Sequence, residues 1–325
     1  MFRKMMLVAL AIMAFQTHSF AQAERWEHQN WNTDFSKTII DLREIIDVIA
    51  ADAIPSIDDP KFKPAREEKT IPGNEPVVAF SHNGVDRAYP LRYLMWHEIV
   101  NDTVGGLPVA VTYCPLCNTS IVFERTLDGE EVTFGTTGKL RHSDLVMYDR
   151  KEQNWWQQFN GEALVGARAG AKLRALPSFL ISFNLFNERY PDGEVLLADA
   201  RRNSRSGVNP YVRYDGNQFP FLFRGALPTD IEPMMRIAFV QDPQPIAMTL
   251  PYLEKNAPVR INDLEFRWRA GQASALDTAR IADGKDVGNI EVYRILADGT
   301  AQPVVYMVTF AFAARAFMPD LDIVQ

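Results

Sequence analysis

The hydrophobic pattern of this chain changes period along its length. Met5 to Phe15 is an apolar block, too short to span a bilayer. Between Asp34 and Ala50, Phe35, Ile39, Leu42, Ile45, Ile46 and Ile49 recur at helical spacing. They predict an amphipathic helix with Asp34 or Ser36 at its N-cap. Three prolines between Ala53 and Ala65 predict an extended connector. From Pro76 the period falls to two. VVAFSHNGVDRAYPL predicts a hairpin turning at Asn83-Gly84, and RYLMWHEIVND a short helix. LPVAVTY and SIVFERT read as strands on either side of a Cys-Pro-Leu-Cys turn. Asp128-Gly129 turns into EEVTFGTT, and SDLVMYDR, NWWQQF and EALVGARA read as further short strands. Pro177 leads into a predicted helix over Ser178–Arg189.

The second half echoes the first. VVAF at Val77 matches RIAF at Arg236, and YPLRYL at Tyr89 matches MTLPYL at Met248. The match continues past Leu107 and Leu264 with a slowly shrinking offset, as small loop changes would produce. The pattern predicts a mostly β (α+β) fold of two related β-rich halves, an internal duplication, with a helical leader. The expected division is 1–23 signal peptide, 24–65 leader and connector, 66–200 first half, 201–220 linker or surface loop, and 221–325 second half. Where the first half has its cysteines, the second reads Ala270-Gly271-Gln272-Ala273.

Composition narrows the functional classes. The chain has 325 residues, 47% hydrophobic and 23% charged, a globular balance. A net charge of −7 carries no basic footprint for nucleic acid. Arg3 and Lys4 precede the apolar block and Ala21-Gln22-Ala23 follows it, the pattern of a cleavable export signal. The mature chain is expected to start near Glu24, as a periplasmic or secreted protein without a transmembrane segment after cleavage. In an oxidising compartment the only two cysteines, Cys114 and Cys117, could form one intrachain disulfide with each other.

Three chemistries fit that pair. As a metal knuckle, the turn lets both thiolates face one ion. With a single knuckle the remaining ligands must be His, carboxylate or Met, which suits copper or zinc. His97 and Glu98 stand just upstream of the cysteine strand, and Met147 is a soft donor in SDLVMYDR. As a redox centre, Cys114 would be the nucleophile and Cys117 the resolving thiol. The strand-like Asn-Thr-Ser-Ile-Val-Phe after Cys117 differs from the strand-to-helix setting of thioredoxin-type motifs. As a staple, a disulfide would close a very short loop in a non-catalytic interaction module. The metal reading weighs most, with a metal ion or a small ligand as the partner. His82 in the hairpin turn and His28 in the leader read as solvated. FGTTGKL lacks the glycine spacing and the Ser or Thr of a phosphate loop, so no nucleotide cofactor is expected.

DRAYPLRYLMWHEIVNDTVGGLPVAVTYCPLCNTSIVFER, then FGTTGKLRHSDLVMYDR, then WWQQFNGEALVG resemble the bacterial domain-of-unknown-function 3179 family. The resemblance is strong from about Pro76 to Leu176 and looser to the C-terminus. It implies no reaction. It marks Trp96-His97-Glu98, Tyr113 through Cys117, and Ser143 through Asp149. Two departures stand out. Asn118 replaces the family's usual Gly after the second cysteine, and His142 is not typical of the family. Asn tolerates left-handed backbone, so the knuckle is expected to survive.

Overall fold

A computed structural model describes residue 26 and residues 28–198, 206–241 and 244–325. Residues 1–23, the expected export signal, lie outside the described residues. The protein is mostly β, with several small sheets arranged like a propeller. One sheet runs Ala175–Leu176, Thr119–Glu124, Leu107–Cys114, Ile99–Val104; it is called the cysteine sheet below. A second, the aspartate sheet, runs Ile45–Asp47, Phe134–Arg141, Asp144–Asp149, Trp155–Gln157, Ala163–Val165.

The remaining large sheets show the predicted repeat. In the first half the hairpin Pro76–His82 and Val85–Pro90 leads into the helix Leu91–His97. In the second half the hairpin Arg236–Val240 and Ile246–Thr249 leads into the helix Leu250–Asn256. Each hairpin gains an antiparallel strand from later in its half, Phe179–Ser182 or Met307–Phe310. Each of those strands runs straight into a helix, Phe183–Arg189 or Ala311–Phe317. A short parallel strand then joins the other side, Glu194–Leu196 or Ile323–Val324. The cysteine sheet corresponds to the sheet Val259–Ile261, Leu264–Arg269, Asn289–Ile295, Ala301–Pro303. Among the described residues, the aspartate sheet has no counterpart in the second half.

Two local expectations are corrected. The helix expected over Asp34–Ala50 is instead a single 3-10 turn, Leu42–Glu44, followed by the strand Ile45–Asp47. Asp34 and Asp41 each close a tight turn, accepting from the N–H of Ser36 and of Arg43. Ile39 and Ile49, on the expected apolar face, are exposed. The β-branched Ile45-Ile46 pair instead extends the edge of the aspartate sheet, opposite Arg141 and Leu140. The leader docks through aromatics: Trp26, Trp31 and Phe35 pack on Trp155 with ring centroids 4.9, 5.2 and 5.1 Å away. The helix expected over Ser178–Arg189 begins only at Phe183, where the Ser182 hydroxyl accepts from Leu185 N. Phe179–Ser182 is a strand because its apolar residues pair with Pro76–Ala79.

Candidate metal centre

Two tight turns meet at the centre of the first half. Cys114 ends the strand Leu107–Cys114, and its backbone pairs with Thr119. Between them Pro115 to Asn118 make the reversal, with Asn118 N donating to Pro115 O at 3.2 Å. Asn118 has φ 55°, the left-handed backbone expected of it. Val109 to Cys114 are all buried, because both faces of this strand are covered. The second turn joins Phe134–Arg141 to Asp144–Asp149. His142 and Ser143 both have positive φ, 55° and 62°. That turn brings the Ser143 carbonyl within 3.6 Å of Cys114 Sγ and 3.3 Å of Cys117 Sγ.

Asp144, the first residue of the second strand, completes the cluster. One ligand atom each from Cys114, Cys117 and Asp144 lies within 4.8 Å of the other two, and all three residues are buried. Asp144 Oδ2 accepts from Gln157 Nε2 at 2.6 Å and from Phe159 N at 2.9 Å. Its Oδ1 is buried and receives no N–H or O–H, and the Cys117 and Cys114 thiols lie against the carboxylate. Gln157 is itself held by Arg141 Nη1 at 3.3 Å, so the carboxylate is fixed through a supported neighbour. Cys114 and Cys117 carry no S–S bond in this structure.

The electrostatics disfavour negative charge in the protein alone. Burial lifts the Asp144 carboxyl to about 7, against the hydrogen bonds from Gln157 and Phe159 that favour its charged form. Burial, and then the proximity of Asp144, lifts Glu98 to about 8. Burial raises the Cys114 thiol, and raises Cys117 well above its ordinary value. Four acidic groups are thus packed where each resists ionisation. A cation would reverse that balance.

Of the residues marked in the sequence, Cys114 and Cys117 are brought together. Glu98 lies beside them without joining the cluster of three. It follows the helix Leu91–His97 with φ 58° and is buried. His97 is buried and its Nδ1 lies 2.7 Å from Pro55 O; it is outside the cluster. Met147 is fully buried, opposite Thr136 and Trp156. Three positions along an extended strand, it faces the opposite side from Asp144. His142 lies 3.5 Å from Glu44 and against Phe317. His28 is exposed.

Sequence reasoning passed over Asp144 as a ligand, although it lies inside the marked Ser143–Asp149 segment. It also missed the clamp on the cysteine turn from the later part of the chain. Tyr214 Oη donates to Leu116 O at 2.9 Å. Thr309 Oγ1 and Phe310 N donate to Cys117 O at 2.9 and 3.2 Å. Nothing in the spacing of Tyr214 or Thr309 signals those contacts.

The model of a family of proteins of unknown function, DUF3179, matches residues 51–321. The chain belongs to that family. The matched span contains Glu98, Cys114, Cys117 and Asp144. No curated protein and no solved structure is matched by the chain. Among the described residues, no helix is long and apolar enough to cross a membrane.

Proposed function

We propose that this protein binds one borderline metal ion through Cys114, Cys117 and Asp144, and that zinc suits the donor set better than copper. The observation that carries this reading is the convergence of two sulfurs and a carboxylate within 4.8 Å, with Asp144 Oδ1 receiving no N–H or O–H. Zinc takes sulfur at about 2.3 Å and carboxylate oxygen at about 2.0–2.2 Å, so modest contraction of the cluster would seat it. Copper(I) favours sulfur and imidazole, whereas the third donor here is a carboxylate. Three protein ligands leave a fourth position, as in catalytic rather than structural zinc sites. Glu98 is the nearest further acid and would act there as a fourth ligand or as a proton acceptor.

The redox alternative needs an accessible thiolate, and Cys114 is 1% exposed with a raised pKa. The test is metal and thiol content measured on one sample, purified from its exported location without chelators. About one equivalent of zinc is expected, lost in Cys114→Ser and in Asp144→Ala. A protein with neither metal nor free thiols would instead be disulfide-linked, and the metal reading would fail.

A further inference from the structure

Beside the thiol cluster lies a cavity of about 160 Å³. Ile54, Leu116, Leu140, Leu145 and Leu222 form its inner aliphatic wall. Leu116 belongs to the cysteine turn and Leu145 follows Asp144, so the segments that carry the cluster also shape the cavity. Apolar cavities of about 150 Å³ hold one benzene.

The polar groups at its edge fall into two kinds. Thr136 and Lys139 are engaged: Thr136 Oγ1 donates to Ile54 O at 2.8 Å. Lys139 Nζ donates to Asp47 at 2.6 Å and to Gln29 at 2.8 Å. Glu98 and Tyr211 are different. Glu98 and Tyr211 line the cavity, and their side chains make no hydrogen bond to one another or to any other described residue. Glu98 is 8% exposed, and its carboxyl sits in surroundings that penalise its charged form. Its backbone, φ 58° and ψ −30° on a residue with a long side chain, is sparsely populated and a further local cost. Costs of this kind concentrate where a ligand relieves them.

We infer that the cavity binds a compact apolar molecule of about benzene size that carries one hydroxyl group. The aliphatic wall takes the ring or short chain. The hydroxyl both donates and accepts, so it pairs with Glu98 and Tyr211 together. The mouth is apolar as well: Val48, Ile49 and Phe221 line the cavity and are 43%, 40% and 58% exposed. Entry is therefore open to a neutral molecule. The inference goes beyond the metal reading and stands without a metal.

The test uses the mature chain treated with chelator, so failure of the metal reading does not enter. Phenol and toluene are titrated by calorimetry and ligand-observed NMR. Phenol is expected to bind one per chain with a Kd of about 0.1–1 mM. Glu98→Met, which keeps the side-chain volume, should weaken phenol about tenfold and leave toluene unchanged or tighter. Ile49→Trp alters only an exposed side chain at the mouth and should abolish binding of both. Three results overturn the inference: no saturable phenol binding to 10 mM (roughly a hundredfold above the tight end of that range), phenol affinity unchanged in Glu98→Met, or phenol affinity unchanged in Ile49→Trp.

Discussion

Replacing Asp144 by Asn should stabilise the metal-free protein at alkaline pH and destabilise the zinc-loaded protein relative to wild type. The carboxyl titrates near 3.8 in an unfolded chain and at about 7 in the fold, because it is buried. A carboxyl with a raised folded pKa costs nothing while both states are protonated. The cost grows as pH climbs from about 4 to 7 and is constant above. A rise of that size corresponds to at most about 4 kcal/mol. Asn keeps the shape and can still accept from Gln157 and Phe159 N, so it mimics the protonated acid at every pH. Urea denaturation in chelator should give equal midpoints for the two proteins at pH 4, with the Asp144→Asn variant ahead at pH 8. Added zinc should reverse the order at pH 8, because losing one of three ligands weakens metal binding by orders of magnitude. Two results would refute the reasoning. If the metal-free proteins unfold alike at pH 8, Asp144 is not the desolvated acid described. If zinc stabilises both equally, Asp144 is not a ligand.

Three further expectations follow from the same geometry. Asn118→Gly should cost about 1 kcal/mol, because it loses the Asn118 bonds to Val308 O and Tyr113 but keeps the left-handed backbone. Asn118→Val should cost about 2–4 kcal/mol through added strain, and denaturant midpoints would give the ranking. Burial would raise the Glu68 pKa, but Lys63 and Thr70 bring it down to about 2. The stability it adds is present above pH 4.5 and lost as pH falls toward 2, at most about 3 kcal/mol before solvent screening. The acid transition of Glu68→Gln should therefore be flatter in that window. Intact mass of the protein expressed with residues 1–325 should place the first residue near Glu24 and the protein outside the cytoplasm; retention of residues 1–23 would overturn the expected cleavage.

The sequence carried the alternation and turn chemistry of the first half clearly, because Asn83-Gly84, Asp128-Gly129 and the cysteine turn are local signals. The repeat was legible because hairpin and helix recur in order. The leader departs from the expected helix because Ile45-Ile46 fit helical spacing and a strand edge equally, and only the Phe134–Arg141 partner decides between them. At the site, Cys114 and Cys117 announce themselves by type and spacing. Asp144 does not, since nothing along the chain says that the turn His142-Ser143 lands on the cysteines. His97 looked close in sequence, yet it ends a helix whose last turn aims it at Pro55. The Tyr214 and Thr309 contacts are long-range packing, invisible to periodicity.

The order of the sheets sets a limit on what the second half could ever acquire. The cysteine turn sits in a hairpin that both halves possess, but Asp144 comes from the sheet that only the first half contains among the described residues. Writing cysteines into Ala270 and Ala273 would therefore set two thiols on the long 270–288 connection, where Asp286 is already taken up by Gly271 N and Gln272 N and no strand supplies a counterpart of Asp144 among the described residues. In a duplicated ancestor either copy could have offered the sulfurs. Insertion of the extra sheet, rather than the cysteines themselves, would then have decided which copy became the binding half.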